Sequence, residues 1–401
     1  MSADRRRWLI LALLFAASFL NYFDRQTLSI LKPAIKAEFG FNDSGYSMLV
    51  TAFMVPYIVM YTLGGRLSDL WGSRFAMGVF VGVWSVVTLA TGWVKSFGQL
   101  AACRFGLGAA EPGNYPAGIR AITILFPATQ RGFALSVFSA GSAIGAVLAP
   151  PCVAFMALHY GWRSAFWIPG LLGLGWVIVW LGLTRGGAVA AISGGSPAVS
   201  WRDLVRSREL WGIVTARLIS DPVWYFYLFW IPGYLQERLG LTLAQAGAVG
   251  WIPFLVADLT GIGTTSLSDL FVRRGMHPVR SRTRILILAA AFAPIGLLAP
   301  YLDSVPIFLL VASISSAVCV TWLFSSAALM AETFPRSALG TMMGITGSFG
   351  AAGALLFNSQ IGGIVDRFGY VPVFVIAAML HPLAALVIYL TVKPRSAESA
   401  S

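Results

Sequence analysis

The chain is poor in charge: Asp, Glu, Lys and Arg make up 11% of its 401 residues, against about a quarter in soluble domains. That scarcity excludes a water-facing globular enzyme. Cysteines are few, and Cys103, Cys152 and Cys319 lack paired spacing, which excludes a disulfide framework and a zinc site. His159, His277 and His381 are scattered without ligand-like neighbours, so no metal is expected. No phosphate-cradling loop and no nucleophile–base constellation occurs, so no cofactor is expected and a membrane enzyme, such as a lipid-modifying transferase, has no chemistry to use.

Long apolar runs are what the chain does have. It is 57% hydrophobic, with mean hydropathy +0.77. Its 42 glycines suit close helix approach and its 14 tryptophans suit interface anchoring. About 20 apolar residues cross a bilayer. On that rule twelve spans fall at about 8–31, 45–68, 75–95, 97–124, 131–158 and 163–184, then 209–235, 243–268, 283–302, 305–330, 338–364 and 370–392. Arg5-Arg6-Arg7 ahead of the first run mimics a signal peptide, but the run reads as a retained first helix. The expected fold is an all-α membrane protein of two six-helix bundles, 1–184 and 208–401, joined by a polar cytoplasmic linker, 185–207.

The net charge of +12 would suggest nucleic acid on a soluble protein. Here nineteen of the 28 Lys and Arg residues fall in connections on one side of the spans and six on the other. The excess marks the cytoplasmic side and places both termini there, so the bilayer, not nucleic acid, is the partner.

The halves also repeat. Leu67-Ser68-Asp69-Leu70 returns as Leu267-Ser268-Asp269-Leu270, and Phe126-Pro127 as Phe334-Pro335, with Gly132 matching Gly340 and Gly161 matching Gly369. Related six-helix halves with a midplane site between them are a transporter pattern, one half rocking against the other.

Charges inside spans mark candidate sites, because each is costly in hydrocarbon. Arg104 and Glu111 are seven residues apart, about two helical turns, and so share a face. Asn21, Tyr22 and Arg25 share a face of the first span, with Asp24 beside them. The guanidinium forks of Arg25 and Arg104 suit a carboxylate; the alternative for Arg25 is a structural pair with an acid. Burial and a neighbouring arginine push a carboxyl's titration in opposite directions, which suits Glu111 or Asp24 to load and release a proton; the sequence leaves open which. Arg217 and Asp221, i and i+4, form an ion pair or a second-half site, and Asp258 meets a substrate hydroxyl or Arg217. Trp224, Tyr225, Tyr227 and Trp230 read as packing and interface anchors, with stacking of a sugar ring on one of them as the alternative. Gly141-x-x-x-Gly145 reads as plain helix packing. Asn358 is a polar helix–helix contact or a ligand contact. Gly65, Asp69 and Arg74, with Asp269 in the degenerate second copy, form a candidate gating loop.

Gly65-Arg66-Leu67-Ser68-Asp69 with Gly72 and Arg74 resembles the loop signature of the major facilitator superfamily. NYFDR (21–25), GGRLSDLWGSR (64–74) and CRFGLGAAEPGNYPAG (103–118) resemble its anion:cation symporter family, and RELWGIVTARLISDPVW (208–224) and WIPFLVADLTG (251–261) are most similar to the hexuronate transporters. The resemblance implies a proton-coupled importer in a bacterial inner membrane, working as a monomer. It implies that Arg25 and Arg104 contact the substrate carboxylate and that Asp24 and Glu111 carry protons. Tyr22, Tyr57, Trp322 and Asn358 match positions facing the substrate. Some hexuronate members lack the acid at Asp24. The expected function is symport of a hexuronate such as glucuronate or galacturonate with protons. The alternatives are another organic anion (an aldonate, an aromatic acid or a monocarboxylate) or drug/proton antiport, which the two arginines disfavour.

Overall fold

Inside a bilayer no water is available to bond the backbone, so apolar spans close their hydrogen bonds within helices. The computed structural model, which describes residues 3–185, 206–334 and 339–392, follows this rule. The helices are α1 (Ala3–Ile30), α2 (Lys32–Phe39), α3 (Asp43–Thr91), α4 (Phe97–Ala110), α5 (Asn114–Leu125), α6 (Ala128–Tyr160), α7 (Ser164–Leu183), α8 (Arg208–Glu237), α9 (Leu243–Val249), α10 (Ile252–Arg273), α11 (Pro278–Phe292), α12 (Val305–Thr333), α13 (Leu339–Phe368) and α14 (Val371–Thr391), with 3₁₀ turns at Glu111–Gly113 and Ala293–Tyr301. Most of the expected linker, 186–205, lies outside the described residues, as do Arg336, Lys393 and Arg395.

All twelve expected spans are helical. Ten segments among the described residues are long and apolar enough to cross a membrane. The other two expected spans, 97–124 and 209–235, are less apolar and carry charge: Arg104, Glu111 and Arg120 in one, Arg217 and Asp221 in the other. The second and third spans run together as α3, broken only at Gly72, whose φ of 73° is open to glycine and strained for other residues. The loop signature has a glycine there because the chain must change direction there. Side-chain caps set other helix starts. Asn42 accepts from the Gly45 amide at the start of α3 (3.0 Å), and Thr242 and Gln245 form a reciprocal capping box on α9.

The chain divides into two compact units. Unit 1 comprises Met1–Gly195 and Leu228–Trp251, and unit 2 comprises Ser196–Tyr227 and Ile252–Ser401. In unit 1, α6 lies directly on the backbone of α1. A Cβ on Gly141 would meet the Phe15 carbonyl at 2.3 Å, and one on Gly145 the Phe19 carbonyl at 2.5 Å. The Gly-x-x-x-Gly pattern is therefore helix packing, as expected. In unit 2, Ile213 of α8, Leu286 of α11, Leu329 of α12 and Ile388 of α14 share a core in which each is essentially fully buried. Lipid is as apolar as these side chains, so close van der Waals fit, rather than escape from water, holds such a core together.

Candidate anion site

The fourth span carries its charged groups up to the point where it breaks. Pro112 cannot donate a backbone hydrogen bond, and α4 ends at Ala110; Glu111 opens the 3₁₀ turn. Glu111 keeps helical dihedrals (φ −59°, ψ −41°) and its amide still bonds the Leu107 carbonyl, so it stays on the face of Arg104, while its hydrogen-bond partner is Arg25 of α1. The Arg25 Nε and Nη2 atoms both donate to Glu111 Oε2, at 3.0 and 2.8 Å. Arg25 Nη2 also reaches Asn21 Oδ1 and the Tyr57 hydroxyl, each at 3.3 Å. Its guanidinium lies over the rings of Tyr22 (4.8 Å) and Tyr57 (4.9 Å). Arg25 and Glu111 are both buried. Removing one partner from such a pair costs about 3–5 kcal/mol, because the other charge is stranded.

Arg104 differs. It is 3% exposed, forms no ion pair among the described residues, and its Nε has no hydrogen-bond partner there. Its guanidinium stands 6.0 Å over the ring of Phe53. Arg25 and Arg104 line one small cavity with Leu28, Tyr46, Leu49, Val50, Phe53 and Phe229, all within unit 1. Its volume of about 10 Å³ holds about one water, so an organic anion enters only after the walls move. Tyr46 fastens one wall, donating to the Phe229 carbonyl at 2.7 Å.

Asp24 leaves α1 in another direction. Its Oδ2 accepts from Thr88 of α3 at 3.2 Å, and its Oδ1 has no partner among the described residues. Glu111 Oε1 is likewise without one. Both acids are buried and have an oxygen that could carry a proton.

A second charged cluster in unit 1 lay hidden in the sequence. Lys32, fully buried, pairs with Asp43 (2.6 Å) and Glu237 (2.7 Å), while Lys36 reaches the same two acids, each at 3.0 Å. The Lys32 ammonium also lies over Trp230 (4.7 Å) and Tyr46 (5.1 Å). Trp230 therefore cages a cation, and is no interface anchor.

The remaining expected residues are spread out. In the loop, Ser68 O accepts from Arg120 (3.1 Å) and Arg74 donates to Leu181 O (3.2 Å). Gly64, beside Gly65, packs against Gly113. The side chain of Asp69 lies outside the described residues. In unit 2, Asp269 pairs with Arg282 at 2.6 Å. Arg217 donates to Asp221 from Nε (3.0 Å) and Nη2 (2.7 Å). Asp258 therefore does not take Arg217 as its partner; the four-residue spacing on α8 gives Asp221 the nearer claim. The Asp221 carboxylate sits against Gly350 of α13, where a Cβ would come within 2.0 Å of it. Trp322 is part of the unit 2 core, donating to Leu286 O (3.0 Å) with its ring edge-on to His381. Asn358 donates to Ala354 O of its own helix (2.9 Å).

Comparison with known proteins agrees with this architecture. Residues 14–298 match the family model of the Major Facilitator Superfamily. The chain is 30% identical to the hexuronate transporter of Escherichia coli (strain K12), over 98% of this chain and 95% of that protein. It is 28% identical to the galacturonate transporter of Dickeya chrysanthemi, over 63% of this chain and 79% of that one. The solved D-xylose-proton symporter superposes with a TM-score of 0.75 at 15% identity, covering 98% of each chain. These relatives are transporters and not enzymes. The chain belongs to the major facilitator superfamily of membrane transporters.

Proposed function

We propose that the protein imports a sugar-acid anion, of the hexuronate class, together with protons across a bacterial inner membrane. Both termini then lie in the cytoplasm, and two six-helix halves rock about a central site. One observation carries the reading: Arg104 is a buried guanidinium that forms no ion pair among the described residues, in the same cavity as Arg25, which is paired with Glu111. A substrate carboxylate supplies what Arg104 lacks. Protonation of Glu111 then removes the negative charge that holds Arg25 and turns its guanidinium toward the same carboxylate, so proton and anion load together. Asp24 is a second proton site, and the hexuronate and galacturonate relatives support the substrate class.

The test is uptake of radiolabelled glucuronate and galacturonate into proteoliposomes with an imposed pH gradient. Uptake rises with an acidic outside and falls at least tenfold in Arg104→Ala. Uptake indifferent to the gradient removes the proton from the scheme, and unchanged binding in Arg104→Ala removes the anchor.

A second reading draws on the cavity lining. Apart from the two arginines and Tyr46, whose hydroxyl is engaged, the lining is apolar. That lining favours a carboxylate with a less hydroxylated body, such as an aromatic acid or a monocarboxylate. Competition of benzoate or lactate against glucuronate distinguishes the two.

A further inference from the structure

Two like charges in one small cavity repel each other, and among the described residues only Arg25 of the two forms an ion pair. The ring of Phe53 is shared by both. The Arg25 guanidinium lies 5.7 Å from the ring centroid and the Arg104 guanidinium 6.0 Å from it. Phe53 is 2% exposed, so the negative face of its π-system acts where water does not screen it. The ring is held from two sides: Tyr57 packs at 5.3 Å, and Phe229 meets it edge-on at 6.1 Å. The backbone beneath it is fixed as well. A Cβ on Gly108 would lie 1.9 Å from the Phe53 carbonyl. Gly108 is one turn beyond Arg104 on the same face of α4, so that glycine lets α4 press against Phe53 and set the height of Arg104 above the ring.

We propose that Phe53 is a positioning residue of the anion site, its aromatic face holding the guanidiniums of Arg25 and Arg104 together so that one carboxylate meets both. The proposal rests on the reading of these arginines as the carboxylate anchor. A leucine of similar bulk fills the space but offers no negative face. Fluorination of the ring also leaves the shape nearly unchanged while draining charge from that face.

The experiment places mono-, di- and trifluorophenylalanine at position 53 of the full-length protein and measures glucuronate affinity alongside the melting temperature. Affinity falls stepwise along the series, by about threefold to thirtyfold in all, the range of a buried cation–π contact, while the melting temperature of the unliganded protein moves far less. Phe53→Leu falls at the bottom of the series. A flat affinity series in folded protein overturns the proposal, as does a series in which only the melting temperature moves, which assigns the ring to packing. A second measurement needs no ligand: the ¹⁹F resonance of 4-fluorophenylalanine at 53 shifts in Arg25→Lys and again in Arg104→Lys. A resonance unmoved by either change overturns the proposal even if glucuronate proves not to be the substrate. Loss of glucuronate binding to the native protein, with the resonance shifting as expected, sinks the substrate reading alone.

Discussion

The Lys32 cluster offers a sharp quantitative test. The ammonium is fully buried between Trp230 and Tyr46, and its two acids come from different segments, Asp43 at the start of α3 and Glu237 at the end of α8. Asp43→Asn leaves it Glu237 at 2.7 Å, and Glu237→Gln leaves it Asp43 at 2.6 Å. Each single change thus removes one of two ion pairs and leaves a neutral acceptor in its place, a loss of about 1–2 kcal/mol for a charged hydrogen bond weakened to a neutral one. The double change strands the charge. A buried ion stripped of both counter-charges costs about 3–5 kcal/mol, so the double mutant exceeds the sum of the singles by about 1 kcal/mol, within the usual range of coupling. Lys36 contributes less, because it is partly exposed and water screens it. The assay is reversible unfolding in mixed micelles, read by tryptophan fluorescence, for the four members of the cycle. A double-mutant cost equal to or below the sum means that Lys32 does not depend on the two acids together, and the reasoning fails.

Three further outcomes follow from the geometry. Gly350→Ala puts a methyl within 2.0 Å of the Asp221 carboxylate and prises it from Arg217, lowering stability by about 1–3 kcal/mol as overpacking does; equal melting temperatures for mutant and native protein refute the close approach. Glu111→Gln keeps an acceptor for Arg25 but cannot gain or lose a proton, so glucuronate exchange persists while uptake driven by a pH gradient disappears; retained gradient-driven uptake assigns the proton to Asp24. On α2, the hydrogen bond from Arg163 chiefly holds Glu38 below the ordinary glutamate range, against a smaller opposing push from burial. Its contribution to stability is therefore present above that range and is lost as pH falls through the lowered value, so acid destabilisation measured by thermal unfolding shrinks in Glu38→Gln, by a small amount because the pair is exposed to solvent.

The spans were legible in the sequence because apolar runs of bilayer length allow only helices, and the loop signature marked Gly72 before its dihedral was known. Arg25 meets Tyr57 and Glu111 and lines a cavity with Arg104; a pair between Arg25 and an acid is one of the two roles the sequence offers, but which acid it takes was not legible. Seven-residue spacing aligned Arg104 with Glu111, and the backbone is helical through Glu111, but the acid's hydrogen-bond partner is Arg25 of α1. Spacing within one helix does not say which neighbouring helix supplies the partner. The Lys32–Glu237 pair joins residues more than two hundred positions apart, and nothing local in the sequence links them; Lys32 and Lys36 read as ordinary loop charges. Phe53 left one faint signal, its place one turn before Tyr57. Gly108 and Gly350 were invisible for the same reason: a glycine's neighbour is a matter of packing.

Asp24 and Arg25 are consecutive, and consecutive helical residues leave the axis about 100° apart. One faces Thr88 and the other Glu111, so on the reading proposed above the two acids, Asp24 and Glu111, are separate places for a hydrogen ion on different sides of α1. A monovalent sugar acid escorted by one such ion crosses without net current. Escorted by two, it carries a positive charge inward, and the membrane voltage itself drives accumulation. A potassium diffusion potential across the vesicle, inside negative, accelerates uptake in the second case and leaves it unaltered in the first.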